Sequence, residues 1–232
     1  MPPGPTWIKR TAALTAVIAG LTGEPSGSPV SLVTVGSAMA QQTEGDGTGT
    51  VPQRHFRIEQ PAELSGSDAL SLYQRILDDV VAGYRLSGDA VARDYRTWQR
   101  YNSAPYRSAT HGERFVNNYA NARGAAYGRY EDSGSLPPGA IMAKDSFAVT
   151  ASGDVFTGPL FLMEKMDAGF NPPSRDWRYT MIMPDGSLFG TTGGQGDERV
   201  TFCITCHAGA GDDQDHLFYV PEDYRLPAPQ LE

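Results

Sequence analysis

Between Asp68 and about Leu86 the apolar residues Tyr73, Ile76, Leu77, Val80 and Tyr84 recur three and four positions apart. That spacing predicts an amphipathic helix, with Ser67 placed to cap it. Ser87-Gly88 ends the pattern, and a second helix is expected from Asp89 to about Tyr101 with Tyr95 and Trp98 inward. A third is expected from about Glu113 to Tyr130, where Phe115, Val116, Tyr119 and Tyr127 return at helical intervals. Past Leu136-Pro137-Pro138-Gly139 the pattern shortens. Ala140–Thr150, Pro159–Met166 and Trp177–Met183 read as strands, separated by the turn signals Ser152-Gly153, Asn171-Pro172-Pro173 and Pro184-Asp185-Gly186. Two of the connections suit antiparallel neighbours, so the expected architecture is α+β: an antiparallel sheet with helices on one side. A glycine-rich loop from Gly190 to Gly196 then leads into a short C-terminal helix.

The N-terminal pattern is different. Lys9 and Arg10 precede apolar, small-residue stretches at Thr11–Leu21 and Val30–Gly36, and Ala38-Met39-Ala40 closes them with a small-x-small site. Residues 1–40 therefore read as a signal peptide for export to the periplasm, and residues 41–64 as a flexible linker or arm. Residues 65–226 form the expected folded domain. Neither apolar stretch reaches the ~20 residues that cross a bilayer, so no transmembrane span is expected.

Composition adds exclusions. With 40% hydrophobic and 20% charged residues in 232, the chain can build a core. A net charge of −8 argues against nucleic acid as a partner.

Cysteine usage is sharper. Only Cys203 and Cys206 occur, and a disulfide between them would close too small a loop to constrain the chain much. The run Cys203-Ile204-Thr205-Cys206-His207 instead has the spacing for two thioether bonds to one heme, with the adjacent histidine reaching the iron. Zinc would want four Cys or His ligands, and beyond the motif only His55, His111 and His216 remain. A redox dithiol would follow an early strand, not sit near the C-terminus. The cofactor expected is one covalent heme c, held by Cys203 and Cys206, with His207 as the axial iron ligand.

The second axial position bears on function, because a Met or His there closes the iron to small ligands. No methionine follows His207. Met142, Met163, Met166, Met181 and Met183 lie on or beside the predicted strands and read as core filling. His216 could cap the iron, but it follows a Gly/Asp-rich turn and reads rather as a surface residue; His111 reads as a helix cap or surface group, and Asp212, Asp213 and Asp215 as a solvated turn. An open or weakly occupied distal position follows. Lys144, one of two lysines beyond residue 40, stands among apolar strand residues on the face of Met142 and Ser146. It is either an edge residue or an amine in the heme pocket, where burial would make it nucleophilic.

An ordered series of segments resembles the cytochrome P-460 family, to which cytochrome c′-beta also belongs, over roughly residues 92–220. Its carriers are Tyr95-Arg96-Thr97-Trp98, Pro138-Gly139-Ala140-Ile141-Met142-Ala143-Lys144 and Phe161-Leu162-Met163-Glu164-Lys165, then Trp177-Arg178-Tyr179, Pro184-Asp185-Gly186 and the heme motif with Asp215 and Phe218. The resemblance implies a mainly antiparallel sheet, often in a homodimer, and a five-coordinate iron with His207 proximal. It also implies that Lys144 matches the lysine cross-linked to the porphyrin in hydroxylamine-oxidising members. Those members carry a distal carboxylate where this chain has Phe161. Glu164 lies three residues on and faces the other way in a regular strand. Three readings stay open: oxidation of hydroxylamine or nitric oxide, with electrons passing to a soluble electron-transfer partner; non-catalytic binding of nitric oxide; and simple electron carriage.

Overall fold

A computed structural model describes residues 57–227; the expected export segment 1–40 and residues 41–56 of the expected arm lie outside the described residues. Helix α1 runs Gly66–Arg85 and starts two residues earlier than its pattern suggested, because the Ser65 hydroxyl and not that of Ser67 accepts from Asp68 N at 3.2 Å. Helix α2 is short, Ala90–Asp94, capped by the Asp89 carboxylate. The expected second helix stops there, and a 3-10 turn at Tyr95–Thr97 leads into a strand.

Among the described residues eight strands form one antiparallel sheet: β1 (Gln99–Arg100), β2 (Tyr106–Ser108), β3 (Arg114–Ala120), β4 (Ile141–Val149), β5 (Val155–Thr157), β6 (Leu160–Lys165), β7 (Trp177–Ile182) and β8 (Leu188–Thr191). The order is β1-β3-β4-β6-β7-β8, with β2 also on β3 and β5 also on β4. The α+β class holds, and the three expected strands fall within a residue of β4, β6 and β7.

The expected third helix does not form. Its first half is β3, whose seven residues are all buried, and its second half is a 3-10 segment, Ala122–Asp132. A strand covered on both faces shows no polar alternation, so its apolar residues fit a helical period by accident. Asn117 and Asn118 are tolerated there because each finds partners. Asn117 Nδ2 donates to Asp145 at 2.9 Å, and Asn118 Nδ2 donates to the Tyr127 hydroxyl at 2.8 Å.

Register divides the sheet into two apolar faces. One carries Phe115, Tyr119, Ala143, Phe147, Leu162 and Ile182, on which α1 lays Leu72, Tyr73, Ile76, Val80 and Tyr84. Burying each such aliphatic side chain contributes about 1.5–3 kcal/mol. The joint has one polar centre: Asp145, fully buried, accepts from the Tyr73 and Tyr95 hydroxyls and from Asn117. The other face carries Val116, Ala120, Met142, Trp177, Tyr179 and Met181. Helix α3, Asp197–Ala208, covers it with Val200 and Cys203, joined by Leu217 and Val220. Helices thus lie on both sides of the sheet. The C-terminal helix expected after the glycine-rich loop is α3; the departure from expectation is that it covers the face opposite α1, which its short apolar stripe of Val200 and Cys203 does not reveal in the sequence.

Candidate functional site

Between the second face and α3 lies a cavity of about 730 Å³ counted out to its solvent mouth. Its construction begins in α3. Gly190 and Gly196 let β8 and the helix start cross closely, since a Cβ on Gly190 would sit 2.3 Å from the Gly196 carbonyl oxygen. Asp197 and Glu198 occupy the first turn, where the helix dipole favours acids. Cys203, Cys206 and His207 then fall at i, i+3 and i+4, one face of the helix, and all three line the cavity. Both cysteines are free; Cys203 is buried and Cys206 exposed. Burial, reinforced by the neighbouring Cys206, pushes the Cys203 thiol up to about 12.

His207 is held from behind. Its Nδ1 lies 2.9 Å from the His216 carbonyl oxygen, which can only accept, so Nδ1 carries the proton and Nε2 is the nitrogen with a lone pair. That carbonyl belongs to a tight segment in which Asp215 (φ 52°) and His216 (φ 60°) are both left-handed. Asp215 is no solvated residue. It is fully buried, takes Lys165 Nζ at 2.6 Å and Leu136 N–H at 2.9 Å, and its carbonyl accepts from Trp177 Nε1 at 2.8 Å. His216 is also buried, with Nε2 bonded to Asp212 at 3.0 Å, so its ring serves the loop.

The sheet supplies the opposite wall. Lys144 pairs with Asn118 on β3 and Phe161 on β6, and all three line the cavity. Burial lowers the Lys144 ammonium to about 8, partly opposed by Cys206. Met142 and Met163, one register step away, line it too. Glu164 takes the other face, as strand alternation requires, and accepts from Arg178 at 3.2 Å. No carboxylate lines the cavity among the described residues.

His111 is where sequence reasoning failed most. It is neither a helix cap nor a surface group: it ends a 3-10 turn, Ala109–His111, is 7% exposed, and lines the cavity with its ring 4.9 Å from that of Phe161. Asn118, Tyr127 and Tyr179 were not singled out as site residues either. Tyr179 alternates with Trp177 and Met181 on one strand, the pattern that could have shown it facing α3.

These residues fit a heme. Two cysteines and an oriented imidazole on one helix face open onto an apolar cleft, and the buried Tyr179 hydroxyl, in its lining, has no hydrogen-bond partner among the described residues. An orphaned polar atom there is matched by a group that brings its own acceptors. Fold and site define a heme-binding protein built on an antiparallel sheet. The family described as Cytochrome P460 matches residues 92–219, and the chain belongs to it. Membership makes it a heme-binding cytochrome. No curated protein matches the chain. Among the described residues no helix is long and apolar enough to cross a membrane.

Proposed function

We propose that this is an exported cytochrome with one heme c, bonded to Cys203 and Cys206 and ligated by His207, that reacts with small nitrogen species, oxidising hydroxylamine or nitric oxide. The carrying observation is that Cys203, Cys206, His207, Lys144 and Phe161, distant in sequence, line one cavity. Bound there, the heme supplies a redox-active iron. The chain's residues do the rest. The His216 carbonyl fixes the His207 tautomer. Phe161, Met142 and Met163 exclude water. Burial lowers the Lys144 ammonium to about 8, so a minor neutral fraction, about a tenth, exists at pH 7, and its place in the cavity lining supports the porphyrin cross-link that its family position implies. A soluble electron-transfer partner accepts the electrons. Export accords with the layout of residues 1–40, and a homodimer with the family resemblance.

One observation favours a second reading, a nitric oxide binder without turnover. The apolar lining around Phe161 offers no carboxylate to relay protons. Optical spectra and heme-peptide mass of the matured protein separate the two. A ferrous Soret band far to the red, with Lys144 retained on heme after digestion and hydroxylamine turnover, is the expected result. A normal band with nitric oxide binding and no turnover leaves only the binder. A low-spin spectrum that neither carbon monoxide nor nitric oxide alters would sink both, leaving an electron carrier.

A further inference from the structure

Phe218 and Leu86 are the two large apolar side chains left exposed among the described residues. Phe218, 41% exposed, also lines the cavity and so stands at its mouth. Its ring centre lies 5.4 Å from that of His207, with the planes at 65°. The backbone behind it is pinned: the Tyr127 hydroxyl donates to the Phe218 carbonyl at 3.1 Å, and Leu217 and Val220 are buried on either side. A single exposed aromatic needs no explanation. This one joins the surface to the proposed iron ligand.

The charge around it has one sign. Between Val200 and Tyr224 the chain has no Lys or Arg, whereas Asp212, Asp213, Asp215, Glu222 and Asp223 are acids. Asp215 is buried on Lys165, and Arg175 reaches both Asp215 and Asp212. The next cation along the chain, Arg225, is held by Glu131 at 2.6 Å. Asp213, Glu222 and Asp223 are exposed. Each is four or five residues from Phe218, at most about 18 Å away along the chain. An apolar centre with a charged rim is the anatomy of a protein interface, and the rim's sign selects the partner. Electron-transfer encounters bury little surface, under about 1,200 Å² in total, so such a face need not be large. A second copy of this chain suits it poorly, because a two-fold contact would set these acids against themselves.

We infer that this face, Phe218 rimmed by Asp213, Glu222 and Asp223, docks the electron acceptor, a soluble one-electron carrier protein with a lysine-rich face. One electron leaves the heme iron by way of His207 and Phe218 and reduces the ferric iron of the partner; no proton or atom moves with it. The inference rests on the redox heme reading above and adds to it the partner's charge and the place where it binds.

The test uses ferrous holoprotein with no hydroxylamine or nitric oxide present. In a stopped-flow cell it is mixed with a ferric basic cytochrome c, or with the same cytochrome succinylated so that its lysines become carboxylates. Transfer to the basic form is expected to be at least about tenfold faster at low salt and to slow as ionic strength rises. Variants are compared at about 0.1 M ionic strength, where charges more than about 10 Å apart are screened. Asp213→Lys/Asp223→Lys should slow transfer at least about fivefold. Asp78→Lys/Asp79→Lys makes the same charge change on the exposed side of α1, across the sheet from the cavity, and should slow it under about twofold. Carbodiimide, which couples carboxylates to lysine amines, should join Asp213, Glu222 or Asp223 to the basic acceptor, as located by peptide mass. That cross-link needs no variant, so it decides the case if a variant fails to accumulate. Equal slowing by the two double variants would mean that net charge alone acts, and overturns the inference. So do transfer that favours the succinylated acceptor, transfer to neither form, and cross-links confined to other faces or joining two copies of this chain. With no nitrogen substrate in the cell, docking can fail while the nitrogen chemistry stands, and the nitrogen chemistry can fail while docking stands.

Discussion

At the scale of single residues, the site depends on groups that never touch its cavity. Asp215 holds the segment whose next carbonyl orients His207, and it does so as a buried anion with Lys165 at 2.6 Å and Arg175 Nε at 3.3 Å. Lys165 in turn lies 5.0 Å from the centre of the Trp177 ring. Removing one partner of such a buried pair strands the other, at a cost of about 3–5 kcal/mol. Asp215→Ala is therefore expected to lose most of that amount in urea denaturation and to broaden the axial-ligand signature of the iron. Asp212→Ala, which removes an exposed partner of the His216 ring, is expected to cost under about 1 kcal/mol. Equal losses from the two variants would show that the anchor is not where the geometry puts it.

At the scale of elements, the joint between α1 and the sheet leaves little room. A Cβ on Gly83 would lie 2.0 Å from the Pro184 carbonyl oxygen, in the turn between β7 and β8. Two effects oppose each other in Gly83→Ala. Alanine gains about 1 kcal/mol of helix propensity over glycine, whereas overpacking against backbone costs typically 1–3 kcal/mol. Because the obstacle is a carbonyl and not a flexible side chain, we expect the clash to win and the denaturation midpoint to fall; a rise would show that the helix shifts freely on the sheet. What the sequence revealed at this scale follows the same physics. Strands β4, β6 and β7 could be read because their turns are marked and their residues alternate or run apolar between breakers. Strand β3 could not, because both its faces are covered, and β1, β2, β5 and β8 are two to four residues long, too short for any period. The heme motif was legible because its chemistry is local. His111, Tyr179 and Asp215 belong to the site through contacts between distant parts of the chain.

At the scale of the whole molecule, one sheet serves two cores of different character. The α1 side closes on its own side chains around the Asp145 centre. The α3 side surrounds the cavity lined by Met142, Met163, Phe161 and Cys203, for which the heme of the proposed function would be the packing partner. A ligand that binds only the native state stabilises it, and the stabilisation falls where the ligand makes contacts. The double variant Cys203→Ala/Cys206→Ala, lacking covalent heme, should therefore loosen unevenly. Hydrogen exchange is expected to accelerate at least about tenfold, equivalent to about 1.4 kcal/mol, in α3 and in residues 210–219. Helix α1 and the central strands β3, β4 and β6 should change little, being sealed from the far side. Uniform acceleration across α1 and α3 would mean that the two faces open as one cooperative unit, and the division of the fold into a self-sufficient core and a heme-dependent one would not stand.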